Sequence, residues 1–179
     1  MADTTTRFDL QPTLQGDLLE LSPIRQAEFD ALWSVPSDPR VWEQHPMKER
    51  ATPDGFRTFF QDAIDSGALT VRDRRDGRVI GSSRFFGYDA TRSEIEIGWT
   101  FLARSHWGGR YNGEMKRLML DHAFRFVDTV VLLVAPENFR SQRAVEKIGG
   151  VRTGSRMSAT GIASVLFEVR ASRHPAPTR

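Results

Sequence analysis

Residues 94–134 read EIEIGWTFLARSHWGGRYNGEMKRLMLDHAFRFVDTVVLLV, and three periodicities follow one another along this stretch. From Glu94 to Phe101 apolar and polar residues alternate. That is the pattern of a half-buried strand, with Ile95, Ile97, Trp99 and Phe101 predicted on one face and Glu94, Glu96, Gly98 and Thr100 on the other. Tyr111–Val127 carries Met115, Leu118, Met119, His122 and Phe126 at helical spacing, an apolar stripe for a long helix. Val130–Ala135 is an unbroken apolar run, the mark of a strand covered on both faces. Strand, helix and buried strand in succession predict two parallel neighbouring strands in a mixed α/β sheet.

Working towards the N-terminus, Ala68–Asp73 and Arg78–Phe86 read as strands joined by Arg75-Asp76-Gly77, and Asp-Gly is a preferred hairpin turn. Thr52 before Pro53 is an N-cap followed by a first-turn proline, with Phe56, Phe59, Phe60 and Ala63 at helical spacing up to Gly67. Pro36, Pro39 and Pro46 allow only a short helix around Val41–Gln44. Gln26–Trp33 reads as a short helix after Pro23, and Leu14–Leu21 as one strand. Towards the C-terminus, Asn138–Ile148 is a helix stopped by Gly149-Gly150, followed by one or two strands ending in Ser164–Val169. Residues 1–10 and 171–179 are polar or proline-rich and are expected to be frayed ends around a single domain, 11–170.

Composition excludes several classes. There are 25 basic and 23 acidic residues in 179, a net charge of +2, so charge alone indicates no nucleic-acid partner. With no cysteine there is no disulfide frame, zinc-thiolate site or thiol nucleophile. His45, His106, His122 and His174 do not pair at metal-ligand spacing, so no metal is expected. The first ten residues lack the apolar core of a secretory signal, and no apolar run approaches the ~18 residues of a membrane span. A cytoplasmic location is the default expectation, with no membrane partner.

Two segments carry candidate chemistry. Trp107-Gly108-Gly109-Arg110-Tyr111-Asn112-Gly113-Glu114 joins the first strand to the long helix. Paired glycines let backbone approach a ligand, and the helix behind them offers free N–H groups and its positive dipole end. The segment therefore reads as a phosphate or pyrophosphate site, or as a tight turn that needs glycine. It lacks the Gly-Lys-Ser/Thr of a P-loop and the spacing of a dinucleotide fingerprint. The second segment is Asn138-Phe139-Arg140-Ser141-Gln142-Arg143-Ala144-Val145-Glu146-Lys147-Ile148-Gly149. Asn138 or Ser141 could cap the helix, and both lie where a parallel strand ends, the usual ligand edge of an open α/β sheet.

These two segments, about 30 residues apart, together with Gly77–Phe85 and Glu96–Trp99, resemble the GCN5-related N-acetyltransferases. The similarity is strongest to the branch that acetylates ribosomal-protein N-termini and related amines. The resemblance implies an acyl-CoA N-acetyltransferase fold, a mixed sheet splayed in the middle and flanked by helices, with acetyl-CoA wedged at the splay. It implies that the pyrophosphate lies on the amides of Gly108, Gly109, Arg110, Tyr111 and Asn112 beside Trp107. Pantetheine would run along Gly98–Leu102, including Phe101 and Leu102, and Asn138 and Ser141 would lie near the thioester. A homodimer is common in such proteins. Three positions depart from the pattern: Arg110 stands where a second glycine is usual, Gly150 where phenylalanine is common, and neither tyrosine (Tyr88, Tyr111) occupies the usual acid position.

Acetyl transfer to an amine needs a base for the ammonium, a donor for the oxyanion and a proton for the departing thiolate. Glu96 is the base candidate, with Glu94 on the same face as second choice and a substrate-side residue. Ser141 is the candidate donor to the thiolate. Trp33 and Trp42 are candidate acceptor-side walls. His122, inside the apolar stripe, reads as a core histidine. Besides the transferase, two readings stand: a non-catalytic acyl-CoA-binding module, and an enzyme of nucleotide phosphates.

Overall fold

The computed structural model describes residues 7–175. Eight strands form one mixed sheet in the order β1-β2-β3-β4-β5-β6-β8-β7. They are β1 (Leu14–Gln15), β2 (Leu19–Pro23), β3 (Leu69–Asp73), β4 (Val79–Asp89), β5 (Glu94–Leu102), β6 (Thr129–Val134), β7 (Val151–Met157) and β8 (Ala163–Arg170). The helices are α1 (Phe29–Trp33), α2 (Pro53–Asp65), α3 (Arg110–Ala123) and α4 (Phe139–Lys147). All neighbouring strands are antiparallel except β5 and β6, the pair whose connection is α3. The crossover read from residues 94–134 is therefore present.

The parallel pairing is short. It runs from Glu94↔Thr129 to Glu96↔Val131 and stops. Beyond it the two strands diverge, leaving the β6-facing edge of Gly98–Leu102 without a partner strand. This is the splay that the family resemblance implies.

Two apolar layers cover the sheet. On one face Ile95 and Ile97 pack with Met115 and Met119 of α3 and with Val130 and Leu132 of β6. On the other, Phe101 packs with Phe56, Phe59 and Phe60 of α2 and with Trp42. Ile97 and Phe101 thus lie on opposite faces, contrary to the simple alternation. The cause is a bulge. Ser82↔Phe101 is followed by Arg84↔Gly98, so β5 has one residue too many against β4. Trp99 takes up the excess at φ +51°, a left-handed backbone rare for a bulky residue. After it the alternation inverts, and the Thr100 hydroxyl turns towards α3.

Two further expectations are corrected. Leu14–Leu21 is a hairpin, because Gly16–Leu18 turn and the Glu114 carboxylate accepts from the amides of Asp17, Leu18 and Leu19 at 2.8–2.9 Å. Gln26–Trp33 is the short helix expected, 3-10 over Gln26–Glu28 and α over Phe29–Trp33. The described part of the N-terminal end is packed: Phe8 is 5% exposed, against Phe85, Tyr88, His122 and Phe126. At the other end His174 bonds Asp121 and stacks on Phe124. Residues 1–6 and 176–179, also read as frayed, lie outside the described residues. His122 is the core histidine expected, its Nε2 at 2.8 Å from the Asp9 carbonyl. No helix among the described residues is long and apolar enough to cross a membrane.

Candidate active site

A cleft of about 580 Å³ occupies the splay, well within the usual range for small-molecule sites. Its walls are Ile97–Leu102 of β5 and Leu132–Ala135 of β6, closed by the starts of α3 and α4 and by the 41–50 segment. Its lining draws on both apolar layers, Ile97 and Leu132 from one and Trp42 and Phe101 from the other. Among the described residues five basic side chains line it (Arg50, Lys116, Arg140, Arg143 and Lys147) and no carboxylate does. Such a lining favours an anionic ligand.

The α3 end is built by glycine. Gly108 and Gly109 have φ of +93° and +144°, values that a residue with a Cβ adopts only under strain. The chain turns there directly into α3, whose first amides have no cap side chain. Trp107 anchors the loop by donating its indole N–H to the Leu102 carbonyl, 2.8 Å. Behind the loop, buried Asp73 accepts from Arg75, from His106 at 3.1 Å and from the Tyr111 hydroxyl at 3.3 Å. The Arg75 guanidinium holds its carboxyl far below the usual carboxylate range. Arg110 is the first helical residue, so the usual glycine is not needed for conformation there. Its side chain lies outside the cleft, in a shallow basic hollow with Arg74 and Arg117.

At the α4 end Asn138, nearly buried, caps the helix by accepting from the Ser141 amide, 3.2 Å. The Ser141 hydroxyl has no protein partner among the described residues and faces the cleft. Arg140 spans the cleft from α4. It donates to the Val41 carbonyl at 3.0 Å, its amide bonds the Gln44 side chain, and its guanidinium stacks 4.0 Å from the Trp107 ring centre.

Glu96 lies beside Gly98, where an added Cβ would sit 3.1 Å from its Oε1. Burial raises its carboxyl from 4.5 to about 7, although Arg156 and Arg84 pull the other way. A group at that value suits proton transfer near neutral pH. Its neighbour Glu94 is committed elsewhere: Arg156 donates to it at 2.6 Å and Arg92 at 3.3 Å.

The predicted site residues thus divide. Phe101, Leu102, Trp107, Gly108, Gly109, Asn112, Asn138, Ser141 and Trp42 line one cleft, and Glu96 borders it at Gly98. Arg110, Tyr111, Trp33 and Glu94 do not line it: Tyr111 faces Asp73, and Trp33 packs on Phe56, ring centres 5.2 Å apart. The backbone amides of Arg110 and Tyr111 remain part of the helix N-terminus. The sequence reading missed Lys116, buried in the cleft wall with its Nζ 2.6 Å from Thr100 Oγ1. Burial pulls its ammonium from 10.5 to about 7. A lysine four residues after Asn112, hence on its helical face, is the one sequence signal. It also missed His45 and Arg50, which nothing in the local pattern marks.

A mixed sheet splayed at the one parallel pair among the described residues, with a glycine turn feeding a helix into the gap, defines an acyl-CoA transferase type of fold. Residues 19–151 match the acetyltransferase (GNAT) domain, and the chain belongs to that family. Among solved structures it is similar to a GCN5-related N-acetyltransferase from Brucella melitensis, with TM-score 0.80 and 20% identity over 93% of this chain and 81% of that one. A GNAT-family acetyltransferase from Bacillus anthracis gives TM-score 0.74 and 18% identity over 90% and 100%. Mycobacterium smegmatis RimJ in complex with CoA-disulfide gives 0.68 and 17% over 93% and 90%. At these identities the likeness establishes the fold. No curated protein sequence matches the chain.

Proposed function

We propose that this acetyltransferase moves the acetyl group of acetyl-CoA to a primary amine by direct attack on the thioester. The observation that carries the reading is the splayed cleft itself, lined by five basic side chains, with a glycine turn and an uncapped helix start at one end. Acetyl-CoA supplies an activated acetyl group. The residues fit it: the amides from Gly108 to Asn112 suit a pyrophosphate. The unpaired edge of Gly98–Leu102 suits an extended amide chain.

Glu96 takes a proton from the acceptor ammonium, directly or through water. The free amine then attacks the thioester carbon, forming the new C–N bond, and the C–S bond breaks as the tetrahedral intermediate collapses. The bonded nitrogen sheds its second proton, which passes to the departing thiolate; the Ser141 hydroxyl hydrogen-bonds that sulfur, or relays the proton by giving its own and taking the one from nitrogen. Asn138, whose side-chain oxygen is used by the Ser141 amide, positions that hydroxyl. Much of the rate comes from holding two reactants in one cleft.

The test is thiol release from acetyl-CoA over a panel of primary amines that includes peptide N-termini, amino acids and polyamines. Release that depends on the amine and is lost in Glu96→Gln, with cofactor binding retained, supports the reading. Cofactor binding without release to any amine would instead identify a non-catalytic acyl-CoA-binding module.

A further inference from the structure

Arg50 makes no ion pair with any carboxylate among the described residues; Glu49 beside it and Asp62 act on its charge only at longer range. The arginine is 5% exposed, yet its one hydrogen-bond partner is the thioether sulfur of Met47. Its guanidinium rests on aromatic faces, 4.5 Å from the Phe59 ring centre and 5.4 Å from that of Trp42. Of these two carboxylates, Glu49 is exposed and makes no ion pair with Arg50, and Asp62 is held by Arg84 at 2.5 Å. A buried guanidinium normally has its N–H groups matched by acceptors. Here the unmatched groups face the cleft.

His45 adds a second donor. Its Nδ1 accepts the Met47 amide, 3.0 Å, so in the neutral ring the proton is on Nε2. Burial and then the charge of Arg50 keep the ring neutral, its value lowered from 6.5 to about 4. This corner of the cleft thus offers two donors over an aromatic floor, and no carboxylate lines it among the described residues. It belongs to the α2 side of the sheet, opposite the glycine turn. Arg84 lies close enough to both Arg50 and Glu96 to act on the charge of each. The corner and the base therefore flank one neighbourhood.

We infer that the acceptor carries its own carboxylate, which pairs with the Arg50 guanidinium and the His45 Nε2–H while its amine is presented to Glu96. The class is amines bearing a carboxylate, of which amino acids are the simplest. This rests on the transferase reading above and narrows its acceptor.

The test compares each amino acid with its carboxamide, leucine with leucinamide and phenylalanine with phenylalaninamide. A peptide arm sets an acidic residue behind the N-terminus against its amide counterpart. The expected result is that wild type favours the acid by about 10- to 100-fold in kcat/KM. Arg50→Met keeps much of the packing and should bring acid and amide level, with KM for acetyl-CoA unchanged. Arg50→Lys should restore part of the preference. Preference confined to the peptide arm would place the carboxylate on a side chain of a peptide acceptor. Equal rates for acid and amide in wild type, or a preference that survives Arg50→Met, would overturn the inference. So would Arg50 dependence for succinyl-CoA in place of acetyl-CoA, which would put the carboxylate on the donor. A second measurement needs no turnover. Thermal melts of the CoA-loaded protein should rise with N-acetylleucine but not with its amide, and this difference should vanish in Arg50→Met. Loss of the rise on CoA itself would instead sink the underlying transferase reading.

Discussion

Replacing Glu96 by Gln removes the proposed base with almost no change of shape. Burial holds the wild-type carboxyl near 7 against an ordinary 4.5. As a general base it works only when ionised. The limb of kcat/KM should therefore rise about tenfold per pH unit below 7 and flatten above it. Glu96→Gln should lose about 10²- to 10⁴-fold at pH 8, the usual share of a positioned base, and should lose that inflection. Stability should move the other way. The folded carboxyl holds its proton more tightly than the unfolded one, so wild-type stability falls as pH rises from 4.5 to about 7 and stays lower above. Glutamine does not titrate. Relative to wild type the variant should thus gain nothing below pH 4.5 and up to about 3 kcal/mol at pH 8, less the screening by water reaching this partly exposed group. Paired measurements of thiol release and of thermal melts across pH 4–9 read both effects. An unchanged rate at pH 8, or a wild-type profile flat through 7, would refute the assignment of Glu96 as the base.

Lys116→Met should raise the melting temperature at pH 7, because the buried ammonium has only the Thr100 hydroxyl for company. Its value is lowered from 10.5 to about 7, so the folded protein binds fewer protons than the unfolded chain between these values. The gain should shrink as melts are repeated towards pH 10. Gly109→Ala forces φ +144° on a residue with a Cβ, at about 1–3 kcal/mol. KM for acetyl-CoA should rise, and a fixed amine KM would localise the damage to the cofactor end. Phe8→Ala should cost about 3–5 kcal/mol in denaturant unfolding, as for other buried phenylalanines; a change under about 0.5 kcal/mol would show that the N-terminal segment does not belong to the core.

The sheet was legible where side-chain pattern and backbone register agree. The 94–134 crossover follows from periodicity, and Val130–Val134 needed only its unbroken apolar run. The bulge at Trp99 was not legible, because it depends on β4 offering two residues where β5 spends three. That single excess residue carries Phe101 to the other face and turns Thr100 towards Lys116. The hairpin at Gly16 was hidden for a similar reason: its amides are satisfied by Glu114, almost a hundred positions away. In the cleft, the glycine turn and the Asn138–Ser141 cap were readable because helix starts obey local rules. Arg50, His45 and Lys116 were not, since their meaning lies in the ion pairs that they do not make, and only packing shows what surrounds a charge.

Calorimetric titration of acetyl-CoA, with CoA and ATP alongside, tests most directly that the splayed cleft holds an acyl-CoA. Acetyl-CoA and CoA should each bind one per chain, ATP should give no saturable heat, and Gly109→Ala should weaken both CoA ligands. Absence of binding at millimolar acetyl-CoA, or ATP binding as tightly as CoA, would contradict the assignment of this cleft.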